Sequence, residues 1–176
     1  MGGIDVKGLP ICALHQLQAL STKAVRNRCQ EAVVGTGVAH IGFDAPEQTL
    51  VQTPLTLVNG GVKDGLTRLF VHSSTPTPIV TTVKITRHEQ GQFGTQAIWR
   101  IPSILEGSGS LRDFSFKIER RFEYKGVRRS YLSARCLDGQ LAVAIPQAKF
   151  RNEADTPGIA QTTVMKGGFV SPCKAR

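Results

Sequence analysis

The sequence predicts a mainly β protein, an antiparallel β-sandwich or barrel preceded by a short helical segment stapled by cysteines. Three observations carry that expectation. Runs of alternating apolar and polar residues recur from Val33 onward, and successive side chains of a strand point to opposite faces, so such alternation marks a half-buried strand. The 18 glycines and 9 prolines are scattered singly rather than clustered, which suits many short strands joined by turns. Helical spacing is confined to the residues before Val33, and strands without intervening helices argue against an α/β sheet.

A chain of 176 residues has the size of one domain and can bury a core without metals. Residues 1–176 are therefore expected to form a single β domain, with 8–32 as its helical part and 33–173 as its strands. A hydrophobic fraction of 40% and a charged fraction of 20% belong to a folded chain rather than a disordered one. There is no internal repeat, no low-complexity linker and no apolar run of roughly 18 residues that would span a membrane. The net charge of +9 makes contact with nucleic acid, another anionic polymer or an anionic envelope surface easy, without conferring specificity. The opening Met1-Gly-Gly-Ile-Asp-Val-Lys-Gly-Leu-Pro10 has no basic region followed by an apolar one. That leaves a cytosolic protein, or an exported one whose leader lies outside this chain.

The N-terminal segment is framed by cysteines. Leu14, Leu17 and Leu20 recur at helical spacing, and Ser21 is placed to cap a short helix running to Cys29. Four cysteines stand at 12, 29, 136 and 173, a close pair at the start and a distant pair near the end. None lies in Cys-x-x-Cys or beside a His at zinc-ligand spacing, so no metal site or redox motif is expected. Three pairings are possible, of which Cys12–Cys29 with Cys136–Cys173 is favoured. The alternative is four buried free thiols in a reducing compartment. Helices this short are marginal alone, so the staple is expected to stand in for a core that the segment lacks.

The strands follow in order. The first alternates from Val34 to Ile41 and closes at Asp44-Ala-Pro-Glu47. The second, Leu50 to Val58, ends at Asn59-Gly60-Gly61, a strong turn signal. The third spans Leu66 to His72, and the prolines of Ser73–Pro78 exclude a central strand there. Ile79–His88 and Phe93–Ile101 are the fourth and fifth, joined by a turn at Glu89-Gln-Gly-Gln92. Pro102–Ser110 is a flexible connection. After Cys136, Leu137-Asp-Gly139 is a turn, Gln140–Phe150 a strand and Asn152–Gly158 a polar turn. Ile159–Met165 and Phe169–Cys173 complete the chain.

The clearest strand signal lies between Phe114 and Cys136. Phe114, Phe116, Ile118, Phe122 and Tyr124 share one parity, while Lys117, Glu119, Arg121 and Glu123 share the other. Lys125-Gly126 breaks the pattern, and Leu132, Ala134 and Cys136 resume it, so the stretch reads as a β-hairpin. Residues 112–135 carry five more positive than negative charges. Arg121, Lys125, Arg128 and Arg129 are the candidate face for phosphates or acidic glycans. The plainer alternative is a solvated face paired across strands, because the aromatics lie on the apolar parity and are not free to stack on bases.

No catalytic constellation is apparent. Glu106-Gly-Ser-Gly-Ser110 lacks the strand-turn-helix frame of a nucleophile elbow, and Gly35-Thr-Gly37 opens no phosphate-binding helix. His15, His40, His72 and His88 are far apart and form no His-x-His or His-Glu-x-x-His. No catalytic, cofactor or metal residue is therefore assigned. The remaining enzymatic alternative is a hydrolase in which the fold brings a His and a carboxylate together.

Gly8-Leu-Pro-Ile-Cys12, Cys29-Gln-Glu-Ala-Val-Val-Gly-Thr-Gly37, Phe93-Gly-Thr95, Ile101-Pro-Ser-Ile104, Gly107-Ser-Gly-Ser-Leu-Arg-Asp-Phe114 and Tyr124-Lys-Gly-Val-Arg-Arg-Ser-Tyr-Leu-Ser-Ala-Arg-Cys136 resemble, in order, successive blocks of a family of uncharacterised exported proteins of soil actinobacteria. The resemblance covers nearly the whole chain. It implies an exported, disulfide-bonded β-domain of the extracellular space or cell envelope. The sequence departs from that pattern in having no leader, which leaves a truncated gene or an alternative start open. It departs again at Phe150-Arg-Asn-Glu-Ala-Asp-Thr156, where the family tends to have Phe-Ala-Asp-Gly-Thr. The expected role is a non-enzymatic structural, surface or binding module. A polyanion-binding protein using the 112–135 hairpin, with an anionic polymer or envelope component as partner, is the alternative.

Overall fold

A computed structural model describes residues 3–18, 20–43, 49–87, 94–102, 104–105, 108–134, 136, 139–145 and 167–172. The protein is mainly β, as expected, with a single short α-helix among the described residues. It divides into two compact units, Gly2–Ser133 and Ala134–Arg176.

The first unit is built on six strands, β2 (Val33–Phe43), β3 (Thr49–Lys63), β4 (Leu66–Ser73), β5 (Ile79–Arg87), β6 (Thr95–Trp99) and β7 (Gly109–Ile118). They form one antiparallel sheet in the order β6-β5-β4-β3-β2-β7. The first five make a meander, and β7 returns to the free side of β2. Leu69 and Val71 of β4 face one cluster and Phe70 faces another, and all three are buried because both faces of the sheet are covered there.

The sheet is rolled into a half-barrel. Strands β6 and β7 are its two edges, yet the Trp99 ring of β6 meets Phe114 and Phe116 of β7 at centroid distances of 4.9 and 5.2 Å. Two glycines let the backbone of β7 lie close on β2. A Cβ at Gly35 would stand 2.3 Å from the Lys117 carbonyl oxygen, and one at Gly37 would stand 2.2 Å from that of Ser115.

Inside the roll, Leu9, Val34, Ala39, Leu55, Leu57, Leu69, Val71, Val83, Ile85 and Tyr131 form the main core. The strand β1 (Gly3–Ile4) pairs with β10 (Leu132–Ser133), and the hairpin of β8 (Arg121–Tyr124) and β9 (Val127–Ser130) lies between β7 and β10 in sequence. Tyr131 is fully buried, and its hydroxyl has no hydrogen-bond partner among the described residues. Burial pushes its pKa above the ordinary phenol value. An unpaired buried hydroxyl destabilises a fold by its lost hydration. Tyr131→Phe is accordingly expected to stabilise the protein by about 1 kcal/mol, read as a higher midpoint in urea.

The N-terminal segment folds as a 3-10 turn at Leu14–Gln16, the helix α1 (Thr22–Arg28) and a second 3-10 turn at Gln30–Ala32. Ser21 caps α1 as expected, its Oγ accepting the Ala24 N–H at 3.2 Å. Cys12 and Cys29 are disulfide-bonded. The expectation that this segment lacks a core is corrected. Leu17, Val25, Ala32 and both cysteines pack on Val58 and Phe70 from the outer face of the sheet. Of the three leucines at helical spacing, only Leu17 is fully buried, because Ser21 starts a new helix rather than continuing the first turn.

Two further expectations change. Asn59-Gly60-Gly61 is no turn but a bulge inside β3, and the chain reverses instead at Asp64-Gly65, both at positive φ. The buried Asn59 explains the bulge. Its Nδ2 donates to the Pro10 carbonyl, its Oδ1 accepts the Gly61 N–H, and its own carbonyl accepts the Cys12 N–H. The strand expected to run from Phe114 to Tyr124 is broken after Ile118. The N–H groups of Glu119 and Arg120 both turn to the Val34 carbonyl, at 3.3 Å each. A new strand then begins at Arg121.

In the second unit, β11 (Gln140–Ile145) pairs antiparallel with β12 (Gly167–Pro172), from Gln140↔Pro172 to Ile145↔Gly167. Cys136 is disulfide-bonded. Its expected partner Cys173, the turns at 89–92 and 152–158, and the strand Ile159–Met165 lie outside the described residues.

Candidate functional site

The basic hairpin divides its four candidate cations between two faces. Antiparallel partners share a face, so Arg121, Glu123 and Arg128 stand on one side, while Phe122, Tyr124, Val127 and Arg129 stand on the other. Arg129 is already engaged. Its Nη1 donates to Asp5 Oδ2 at 2.6 Å, and its guanidinium carbon lies 5.5 Å from the Tyr124 ring centroid. Burial alone would raise the pKa of Asp5. The Arg129 hydrogen bond and charge, the Lys7 N–H and the Arg87 charge outweigh it and hold the carboxyl below its ordinary value. Tyr124 lies against Gly8, where a Cβ would come 2.0 Å from its ring and φ is +78°.

Arg121, Lys125 and Arg128 remain exposed, with Glu123 among them. Arg121 and Arg128 form no ion pair among the described residues, and the Lys125 ammonium lies 5.6 Å from the Tyr124 ring centroid. The arrangement is an open cationic surface able to attract an extended anion. Arg135 lies outside the described residues.

The fold does bring one histidine to a carboxylate. His40 and Asp113 are directly opposed on β2 and β7, and His40 Nδ1 donates to Asp113 Oδ1 at 2.7 Å. Among the described residues no hydroxyl or thiol is hydrogen-bonded to the His40 ring. His15 is exposed on the first 3-10 turn, and His88 lies outside the described residues. No group of three or more His, Cys, Asp or Glu suited to a metal ion occurs among the described residues.

His72 is fully buried on β4, and its Nε2 donates to the Leu20 carbonyl at 2.9 Å. Burial depresses its pKa below the ordinary imidazole value, against the opposing effect of that hydrogen bond. The unfolded chain therefore takes up this proton at a higher pH than the folded one. The stability linked to His72 is present above about pH 6.5 and is lost as pH falls through that value toward the folded pKa. Melting temperature is expected to drop between about pH 7 and pH 5, with a shallower drop in His72→Gln, which keeps a donor without titrating there.

The third candidate is a cavity at one end of the roll, of about 50 Å³. Its floor is Ala39, Leu55 and Val71, and its walls include Trp99, Ile101 and Ile104. No sequence signal pointed here, since Pro102–Ser110 reads as a connection and Trp99 as one more strand residue. Outside the roll, a shallow depression of about 310 Å³ is lined by Val80, Thr82, Lys84, Ile98 and Arg100 among others.

Comparison of the chain with protein-family models, curated proteins and solved structures yields no match.

Proposed function

We propose that this protein is a non-enzymatic binding or structural module of an extracytoplasmic compartment, either extracellular or in the cell envelope. The observation that carries the reading is its cysteine chemistry. Cys12 is bonded to Cys29, Cys136 is bonded as well, and no cysteine among the described residues is free. Disulfides of this kind persist in oxidising compartments and are rare in the cytosol. The sequence resemblance to exported actinobacterial proteins supports the same compartment. The test is intact-mass analysis after alkylation, without reductant, of protein recovered from the envelope fraction and the culture medium. Four alkylated thiols would overturn the reading, whereas none is expected.

A second reading, polyanion binding, is favoured by the exposed Arg121, Lys125 and Arg128. The expected result is retention on heparin or DNA resin with steep salt dependence, lost when those three are changed to serine. Arg129 is left in place because it holds Asp5. Each phosphate contact removed lowers the log–log salt slope by roughly 0.9. Equal elution of variant and parent would sink this reading.

A further inference from the structure

We propose that the cavity at the end of the rolled sheet receives the tip of an unbranched hydrocarbon chain. The proposal deepens the reading of the protein as a binding module and rests on it. Three observations point to this ligand class.

The cavity has nothing to offer water. The hydroxyls that border it are already committed to one another or to the backbone. Thr53 donates to Ser73 at 2.5 Å, Ser73 donates to the Thr75 carbonyl at 3.1 Å, and Thr81 accepts the indole N–H of Trp99 at 2.8 Å. A space whose accessible lining is apolar and whose hydroxyls are satisfied holds water poorly and favours apolar matter.

Size decides between a ring and a chain. A cavity that admits benzene measures about 150 Å³, whereas a water occupies a share of about 30 Å³. At about 50 Å³ this one is too small for a ring. It holds about two methylene-sized groups, so a longer ligand must enter end first and continue outside.

The entrance is apolar too. Ile101 both lines the cavity and is 38% exposed, and Phe114, which packs on the cavity-lining Trp99, is 47% exposed. A chain leaving the cavity would meet these side chains before it reached water. The ligand's head group lies beyond them in solvent, so free fatty acids, fatty alcohols and lipid acyl chains share the recognised chemistry.

Trp99 is the only tryptophan of the chain, and its wall position makes its fluorescence the reporter. The experiment titrates the full oxidised chain with decanol, decanoate and short-chain phosphatidylcholine below its micelle concentration. A saturable change in Trp99 emission is expected with all three if the chain alone is recognised, and with one alone if its head group contributes. Two variants guard the assignment. Ala39→Val fills the floor, and Ile101→Glu places a charge at the entrance where the side chain is already partly in water. Each is expected to weaken decanol binding by about tenfold or more, the fold-change corresponding to about two methylenes left unburied. Ile101→Glu should keep the parent melting temperature, so it remains informative even if Ala39→Val disturbs the core. No saturable response from the parent to any of the three probes, or undiminished decanol affinity in a folded Ile101→Glu variant, overturns the proposal. The thiol analysis is independent of both, so this site can fail while the compartment reading stands.

Discussion

Replacing Cys12 and Cys29 together by alanine is expected to lower stability by about 3 kcal/mol, the chain-entropy cost of a loop of this size. The bond joins residues 17 apart in sequence, and what it encloses cannot hold itself. The helix α1 has only seven residues, well short of what is stable alone in water. Packing on Val58 and Phe70 and the Asn59 contacts to Pro10 and Cys12 retain part of the structure. The variant should therefore fold with a loosened preface rather than collapse altogether. In a protein of this length the loss corresponds to a melting temperature lower by roughly 6–12 °C. Urea unfolding of parent and variant measures it. A change well under about 1 kcal/mol would show that packing alone holds the segment. The double alanine is a cleaner probe than reductant, which would also open the bond at Cys136.

The second large effect is expected at Trp99. Its ring lies edge-on to Phe114 at 89° and tilted against Phe116 at 50°, and its N–H satisfies the buried Thr81. Trp99→Ala removes both ring contacts, opens the join between β6 and β7 and leaves the Thr81 oxygen short of a donor. Aromatic-to-alanine changes in cores cost about 3–5 kcal/mol, and the partial exposure of Trp99 places this one near the lower end. Trp99→Phe keeps one ring but loses the hydrogen bond and the packing of the second ring, so its cost should exceed the loss of about 1 kcal/mol for a hydrogen bond and stay below that of the alanine change. Hydrogen exchange separates the two. In the alanine variant, amides of β6 and of the outer side of β7 should exchange faster, while the β3–β4 centre stays protected. Uniform acceleration through the whole sheet would mean that Trp99 supports the core generally rather than joining its edges.

Much of this fold was legible because it is local. Ser21 announces α1 through its own cap, the alternation in Ile79–Arg87 sets which side chains enter the roll, and two cysteines bracketing a short segment find each other. The features that were misread depend on distant partners. Asn59-Gly60-Gly61 has the composition of a turn, but Asn59 bonds to Pro10 and Cys12, 49 residues away in the case of Pro10, and is drawn inside as a bulge. The strand through Ile118 stops because the Val34 carbonyl takes the next two amides. Arg129 looks like its neighbours Arg121 and Arg128 until Asp5, 124 residues away, claims it. The rolled edges and the cavity they enclose follow from the twist of six strands together, which no stretch of sequence carries by itself.

The pairing of β7 with β2 also determines the order of assembly. Strands β3 to β6 each pair with the strand before them in sequence, so the meander can form through short connections. The β7 strand must instead find β2 across the whole meander, with His40 and Asp113 separated by 73 positions. Long-range pairing of that kind is slow. Until it is complete, the outer edge of β2 presents unpaired amides and carbonyls to any other chain that offers a strand. Refolding yield is therefore expected to fall as protein concentration rises, with association beginning at the edge that β7 later covers.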